Sequence, residues 1–210
     1  MRRAHLALGL LLALFLSLHL GNHLAGLAGQ DVHNAVQNGL RLGYRHPLVE
    51  PLLFLALAAQ AGIGGALLLR RRRATLQTLS GGYLALFLAI HLGAVLAARS
   101  RGTETDLAFA AAGLHAPAPW PVLFATYYGL AVLSLFAHLS VPLARHHPRT
   151  GRATLATGAG AAVVLVALLA GLVTPLRIAP ALVAAFPWTP CALTLPGVRG
   201  RRQPLPGGAR

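Results

Sequence analysis

Five charge-poor stretches, each long enough to cross a lipid bilayer, dominate this chain: residues 4–27, 47–69, 79–98, 120–144 and 153–176. A hydrocarbon core about 30 Å thick needs roughly 20 apolar residues per helix. In lipid only helices and closed barrels satisfy every backbone polar group. Charge-poor runs of this length read as spanning helices. The expected fold is therefore all-α, an integral membrane bundle of five transmembrane helices. Only Glu50 places a fixed charge inside a stretch, near the start of the second. Residues 1–176 read as one membrane domain, and 177–210 as a Pro/Arg-rich C-terminal tail. Within the tail, 178–196 is apolar, but Pro180, Pro187, Pro190 and Pro196 argue against a further span.

Composition supports the membrane class, because only 10% of the residues are charged, against about 25% in soluble domains. The net charge of +14 comes entirely from arginine. Clusters of arginine suit nucleic acid, but here they punctuate apolar runs, as orientation signals do, so no nucleic-acid partner is expected. If the helices alternate, Arg2, Arg3, the 70–73 run, Arg145, Arg149 and Arg152 share one side. The other side carries Arg41, Arg45, Arg99 and Arg101, offset by Asp31, Glu50, Glu104 and Asp106. Taking the richer side as cytoplasmic puts the N terminus inside. Arg2–Arg3, an apolar run and the small-residue site Gly26-Leu27-Ala28 also fit a signal peptide. The length of the run favours a retained helix. The single cysteine, Cys191, rules out an internal disulfide or an iron–sulfur cluster, and no GxGxxG or P-loop pattern follows a strand-like run.

Three histidines lie inside separate apolar stretches: His19, His91 and His138. An ionisable ring in hydrocarbon is costly and marks a functional site by default. At about 1.5 Å rise per residue, His19 (eight residues before Leu27) and His91 (seven before Ala98) both lie roughly 10–12 Å below the outer face. His138 lies roughly 9 Å from the inner face, with Gln60 as its nearest depth match on the second helix. Two imidazoles at one depth can bond haem iron from opposite sides, which closes the metal to oxygen and suits electron transfer. Gly21, Gly26, Gly81 and Gly82 leave room for a flat ligand. The competing role is hydrogen-bonded glue between helices. His23, one turn from His19, and Glu50, near the outer mouth, are candidate quinone contacts, with Arg45 as a potential partner of Glu50. His5, His33, His46 and His115 read as solvated. Trp120, Tyr127, Tyr128 and Trp188 read as interfacial anchors. His146 and His147 form a charged edge beside lipid headgroups.

These residues resemble a known family. Leu76-Gln77-Thr78-Leu79-Ser80-Gly81, running to Phe87 and His91, is similar to the third helix of the five-helix cytochrome b anchors of succinate dehydrogenases and fumarate reductases. His19-Leu20-Gly21-Asn22 resembles the family's first-helix histidine with its asparagine. Pro119-Trp120 through Tyr127 to His138 resembles the helix carrying another haem histidine. The resemblance covers about 150 residues, from the first helix through the fourth. It implies a b-type cytochrome in the inner membrane of a bacterium, passing electrons between flavoprotein and iron–sulfur subunits and membrane quinone. It is not a complete enzyme alone. It also implies His19 and His91 as outer haem ligands and His138 as one inner ligand. The second helix departs from the pattern, having Gln60 where the family has a histidine, so one haem b is expected. Thr78 replaces an arginine common in the family. The alternatives are a haem-free scaffold subunit, and a small histidine-using proton or metal transporter. Against the transporter, the chain has no inverted repeat and no break inside a span.

Overall fold

The computed structural model describes residues 1–70 and 74–186. Within them the chain is all-helical, and five helices are long and apolar enough to cross a membrane. These are α1 (Arg2–Ala25, continued by a 3-10 turn at Gly26–Ala28), α3 (Val49–Leu69), α4 (Leu76–Ser100), α6 (Trp120–His146) and α7 (Pro148–Leu169). Three shorter helices fill the connections: α2 (Gln30–Tyr44), α5 (Leu107–Ala111) and α8 (Pro180–Ala184). The expectations for Arg71, Arg72, Arg73, Trp188, Cys191 and the arginines at 199, 201, 202 and 210 lie outside the described residues.

Local chemistry sets the boundaries that hydropathy alone leaves open. Helix α4 begins three residues earlier than expected because Thr75 and Thr78 form a capping box: Thr75 Oγ1 accepts from Thr78 N, and Thr78 Oγ1 accepts from Thr75 N at 2.8 Å. Helix α7 lies displaced toward the N terminus, at Pro148–Leu169 rather than 153–176. Pro148 sits at its first position, where no N–H is needed. Gly171, with φ +72, closes its end. The amides of Gly171 and Leu172 bond the carbonyls of Leu168 and Ala167, both at 2.9 Å, in a Schellman motif. Residues 172–176 then leave the helix and fold back over the bundle end.

The spans expose Leu10, Leu14, Leu52, Leu55 and Val163 by between 64% and 70%. In water such a surface invites association, whereas in lipid it is solvated. Helix–helix contact therefore relies on close approach rather than on hydrophobic burial. It is tightest between α6 and α7, where Gly158 lies on Phe136 and Gly151 on Ala144. The apolar core sits toward one end of the bundle, built from Leu107, Ala111, Val132, Ala162, Leu165 and Leu169. Helix α4 docks on α6 through Tyr83 Oη, which donates to Tyr127 O (3.0 Å), and Tyr127 Oη, which donates to Phe87 O (3.3 Å). Tyr127 and Tyr128 thus face α4 and the core rather than anchoring an interface. Helix α1 packs on α2 and α3, and its approach to α4 and α6 is sparse. Ring contacts, not backbone packing, span that gap.

Helix α2 occupies a stretch expected to be an irregular connection. His33, Gln37 and Arg41 recur every fourth residue and face the protein, with His33 and Gln37 buried. Val32, Val36 and Leu42 point outward. A polar stripe turned inward and an apolar stripe turned outward suit a helix lying across the bundle end beside lipid.

Candidate functional site

His19 on α1 and His91 on α4 face each other across that gap. Their ring centroids are 6.2 Å apart and their planes cross at 73°. Each is backed by a stacked phenylalanine: Phe15 lies 5.8 Å from His19, and Phe87 lies 5.2 Å from His91. Among the described residues no hydrogen bond engages either imidazole. A histidine serving as interhelical glue would be hydrogen-bonded. Gly21 and Gly93, each two residues beyond a histidine of the pair, are exposed on the far faces of their helices and make no room between the two rings. Gly26 packs on Leu168 and Leu107, Gly81 on His138, and Gly82 on Leu68, so these three make no room beside His19 and His91.

Two further imidazoles extend the row toward the bundle end. His23 lies 4.8 Å from His19, and His33 lies 5.4 Å from His23. His33, expected to be solvated, is fully buried. Asn22 Nδ2 donates to its Nε2 at 3.1 Å, and its Nδ1–H donates to Asn34 Oδ1 at 2.9 Å. Asn34 Nδ2 donates in turn to Asp106 Oδ2 (3.3 Å), whose other oxygen caps α5 at Phe109 N (3.0 Å). This chain of partners fixes the His33 tautomer. Burial pushes the His33 imidazole below its ordinary range, partly offset by Asn34 and Asp106. The Asn22 of the resemblance motif therefore supports His33. The fourth-residue polar repeat of α2 is the signal that could have revealed it. His115, also expected to be solvated, donates from Nε2 to Leu169 O at 3.0 Å.

A cavity of about 280 Å³ opens between α1 and α2, lined by Phe15, Leu18, His19, Asn22, Gln37 and Tyr44 among others. Asn22 Oδ1 and Gln37 Oε1 are buried there without donors, as is His23 Nδ1 nearby.

All 4 acidic side chains are engaged. Glu50 accepts both arms of Arg99, at 2.6 and 3.2 Å, rather than pairing with Arg45. Glu104 meets Arg41 at 3.3 Å, Asp31 meets Arg177, and Asp106 caps α5. Arg45 donates to Thr105 Oγ1 (3.1 Å), and burial together with the Arg41 guanidinium pushes it below the usual arginine range.

At the opposite end, His138 on α6 does not join the His19–His91 pair. Its Nδ1–H donates to Gln77 O at 3.1 Å, and its ring lies 6.3 Å from that of His5, a residue expected to be solvated. Gln60, its expected depth match, has its Nε2 beside Gly9 and its Oε1 buried without a partner. Thr78, at the arginine position of the resemblance, is buried and held in the α4 cap.

The fold and these sites define a multi-pass helical membrane protein with histidines placed inside its bundle. No protein family, curated protein or solved structure matches the chain.

Proposed function

We propose that this chain is a b-type cytochrome-like membrane subunit for quinone-linked electron transfer, working with flavoprotein and iron–sulfur subunits. His19 and His91 would hold one haem b. The observation that carries this reading is the facing, unbonded pair with ring centroids 6.2 Å apart. Two metal–imidazole bonds of about 2 Å each, plus about 1 Å from nitrogen to each ring centre, require roughly 6 Å. When bound, a haem with two imidazole ligands takes up and releases single electrons without an open position for oxygen.

The chain's own residues then supply the surroundings. Phe15 and Phe87 keep the two imidazoles oriented by stacking. Asn22 and His33 flank the pair toward the bundle end, where α2 packs on α1. The α1–α2 cavity suits a quinone head group: its walls are largely apolar, and the unsatisfied Asn22 Oδ1 and Gln37 Oε1 would accept the hydroxyl protons of a quinol. His23 Nδ1, buried and unpartnered, is a third polar group near that ring. Glu50, tied to Arg99, serves the architecture of the same end in this reading.

Arginine distribution favours the α1 N terminus on the cytoplasmic side of a bacterial inner membrane. The test is a reduced-minus-oxidised visible spectrum of the purified protein, with haem quantified per chain. A b-type band that weakens in both His19→Ala and His91→Ala supports the reading. Absence of haem after expression with ample haem supply overturns it in favour of a haem-free scaffold.

A further inference from the structure

We infer that Arg45 and Arg99, with Thr103 and Thr105, form a phosphate-binding site at the bundle end, open to inorganic phosphate or to the headgroup of a membrane phospholipid. The inference is independent of the cytochrome reading and uses neither of its proposed ligands. A cavity of about 180 Å³ opens here, lined by Arg45, Arg99, Gly102, Thr103, Glu104 and Thr105. No apolar side chain is among these six, in contrast to the walls of the α1–α2 cavity.

The site follows from how two helices end. Arg41 lies in the last turn of α2 and Arg45 caps that helix, one turn further on, so the two share a face. Arg99 comes from the last turn of α4. Helix α4 closes in a Schellman motif: the amides of Gly102 and Thr103 bond the carbonyls of Arg99 and Ala98, both at 3.0 Å, and Gly102 takes φ +73. The left-handed step turns the chain back toward α2. Thr105 Oγ1 there accepts from Arg41 at 3.2 Å and from Arg45 at 3.1 Å.

Three guanidiniums meet two carboxylates at this end, and the carboxylates are already engaged. Glu50 takes both arms of Arg99. Glu104 reaches Arg41 at 3.3 Å and is 81% exposed, so water screens it from the rest. Arg45 is the cation left over. Among the described residues it has no carboxylate partner, its one hydrogen bond runs from Nη2 to Thr105 Oγ1, and its Nε is buried without a partner. A guanidinium partly withdrawn from water and crowded by like charge is costly. A bound anion offsets both costs. Phosphate suits the cavity better than a carboxylate, which meets one guanidinium fork in a plane. A tetrahedral phosphate accepts from Arg45 and Arg99 together and still presents an oxygen to a hydroxyl. Thr105 Oγ1, which accepts from two arginines, keeps its own proton to donate. Leu42 and Leu48, on either side of Arg45 in the chain, are 83% and 71% exposed. Apolar surface thus gives way to positive charge at this point, as it does at the level of phospholipid headgroups.

The experiment is thermal unfolding of the full chain in a neutral detergent, followed by circular dichroism. The probes are inorganic phosphate, sodium chloride at matched ionic strength, and phosphatidylglycerol mixed into the micelles. A ligand that binds the folded state raises the midpoint as its concentration rises. A rise with inorganic phosphate beyond that with chloride supports the site and shows that free phosphate suffices. A rise with phosphatidylglycerol but not with inorganic phosphate supports it with the lipid headgroup as ligand. In either case Arg45→Gln should weaken the apparent affinity by roughly tenfold to hundredfold. Arg101→Gln removes the same charge from an exposed neighbour and should leave the affinity nearly unchanged. Arg45→Lys keeps the charge but not the planar fork, so it should fold like the parent and bind more weakly, which preserves the test if Arg45→Gln does not fold. The inference is overturned by a midpoint that neither probe raises beyond chloride. It is equally overturned by an affinity that neither Arg45 variant reduces, or that Arg101→Gln reduces as much.

Discussion

A paired glycine substitution tests the architecture directly. Gly158 and Gly160 lie two residues apart on α7, but they face different surroundings. An alanine Cβ at 158 would lie against Phe136 Cβ, 2.6 Å from its Cγ and 3.2 Å from its Cδ2. Comfortable carbon contacts are about 3.5–4.0 Å. Phe136 Cβ is tied to the α6 backbone and cannot swing aside, so α7 must retreat by on the order of 1 Å. Overpacking of this kind costs roughly 1–3 kcal/mol. At 160 a Cβ meets nothing within 4 Å, so alanine should there gain the ordinary helix preference over glycine, about 0.5–1 kcal/mol. The two variants should therefore separate by roughly 1.5–4 kcal/mol in opposite directions from the parent. Reversible unfolding in mixed micelles, followed by helical circular dichroism as the denaturing detergent fraction rises, measures this. Equal midpoints for the two variants, or a more stable Gly158→Ala, would refute the close α6–α7 approach on which the bundle is built.

Other consequences are open to measurement. Arg99→Ala strands Glu50, whose side chain is 20% exposed, and should cost about 1–3 kcal/mol. Adding Glu50→Gln should recover part of that loss in a double-mutant cycle, and strict additivity would show the pair to be uncoupled. His33 is held neutral by burial, so below its ordinary value of 6.5 the unfolded chain gains a proton that the folded chain declines. Stability should fall as pH drops from about 6.5 through the lowered folded value, and His33→Gln should flatten that slope; a slope unchanged in the variant would dismiss His33 as its source. On the proposed cytochrome reading, Gln37→Leu should weaken quinone binding at the α1–α2 cavity while leaving the haem spectrum intact, and loss of haem instead would assign Gln37 to the haem environment.

What could be read from the sequence depended on whether a signal was averaged or local. The five spans are legible because charge-free length is a property of twenty residues together, which no single side chain upsets. The equal depth of His19 and His91 follows from counting along two such helices, and their rings do meet. The α7 boundaries escaped because a hydropathy window cannot weigh Pro148 or Gly171, each of which acts through one backbone position. Residues 172–176 are as apolar as a helix end, yet a left-handed glycine takes them out of it. Helix α2 escaped for a different reason: its polar stripe of His33, Gln37 and Arg41 faces inward, the reverse of a soluble amphipathic helix. His5 was misjudged by position, since a histidine so near the chain start reads as solvated until α3 and α6 close over it.

The histidines also differ in what holds them, and this separates their roles better than burial does. His33 and His115 have their hydrogen-bonding capacity directed at named partners, Asn22 and Asn34 in one case and a backbone carbonyl in the other. Those partners orient both rings, and they behave as structural groups. His19 and His91 are oriented only by ring stacking, which sets a plane without using a nitrogen. A group oriented in this way loses nothing by bonding a metal, whereas His33 would have to surrender an amide donor in a dry interior, at about 1–3 kcal/mol for the group left unpaired. His33 therefore follows His23 and His19 in the row but cannot substitute for either as a ligand. The same reasoning makes α2 more than a connection. By tying His33 to Asp106 through Asn34, it joins the end of α1 to the start of α5.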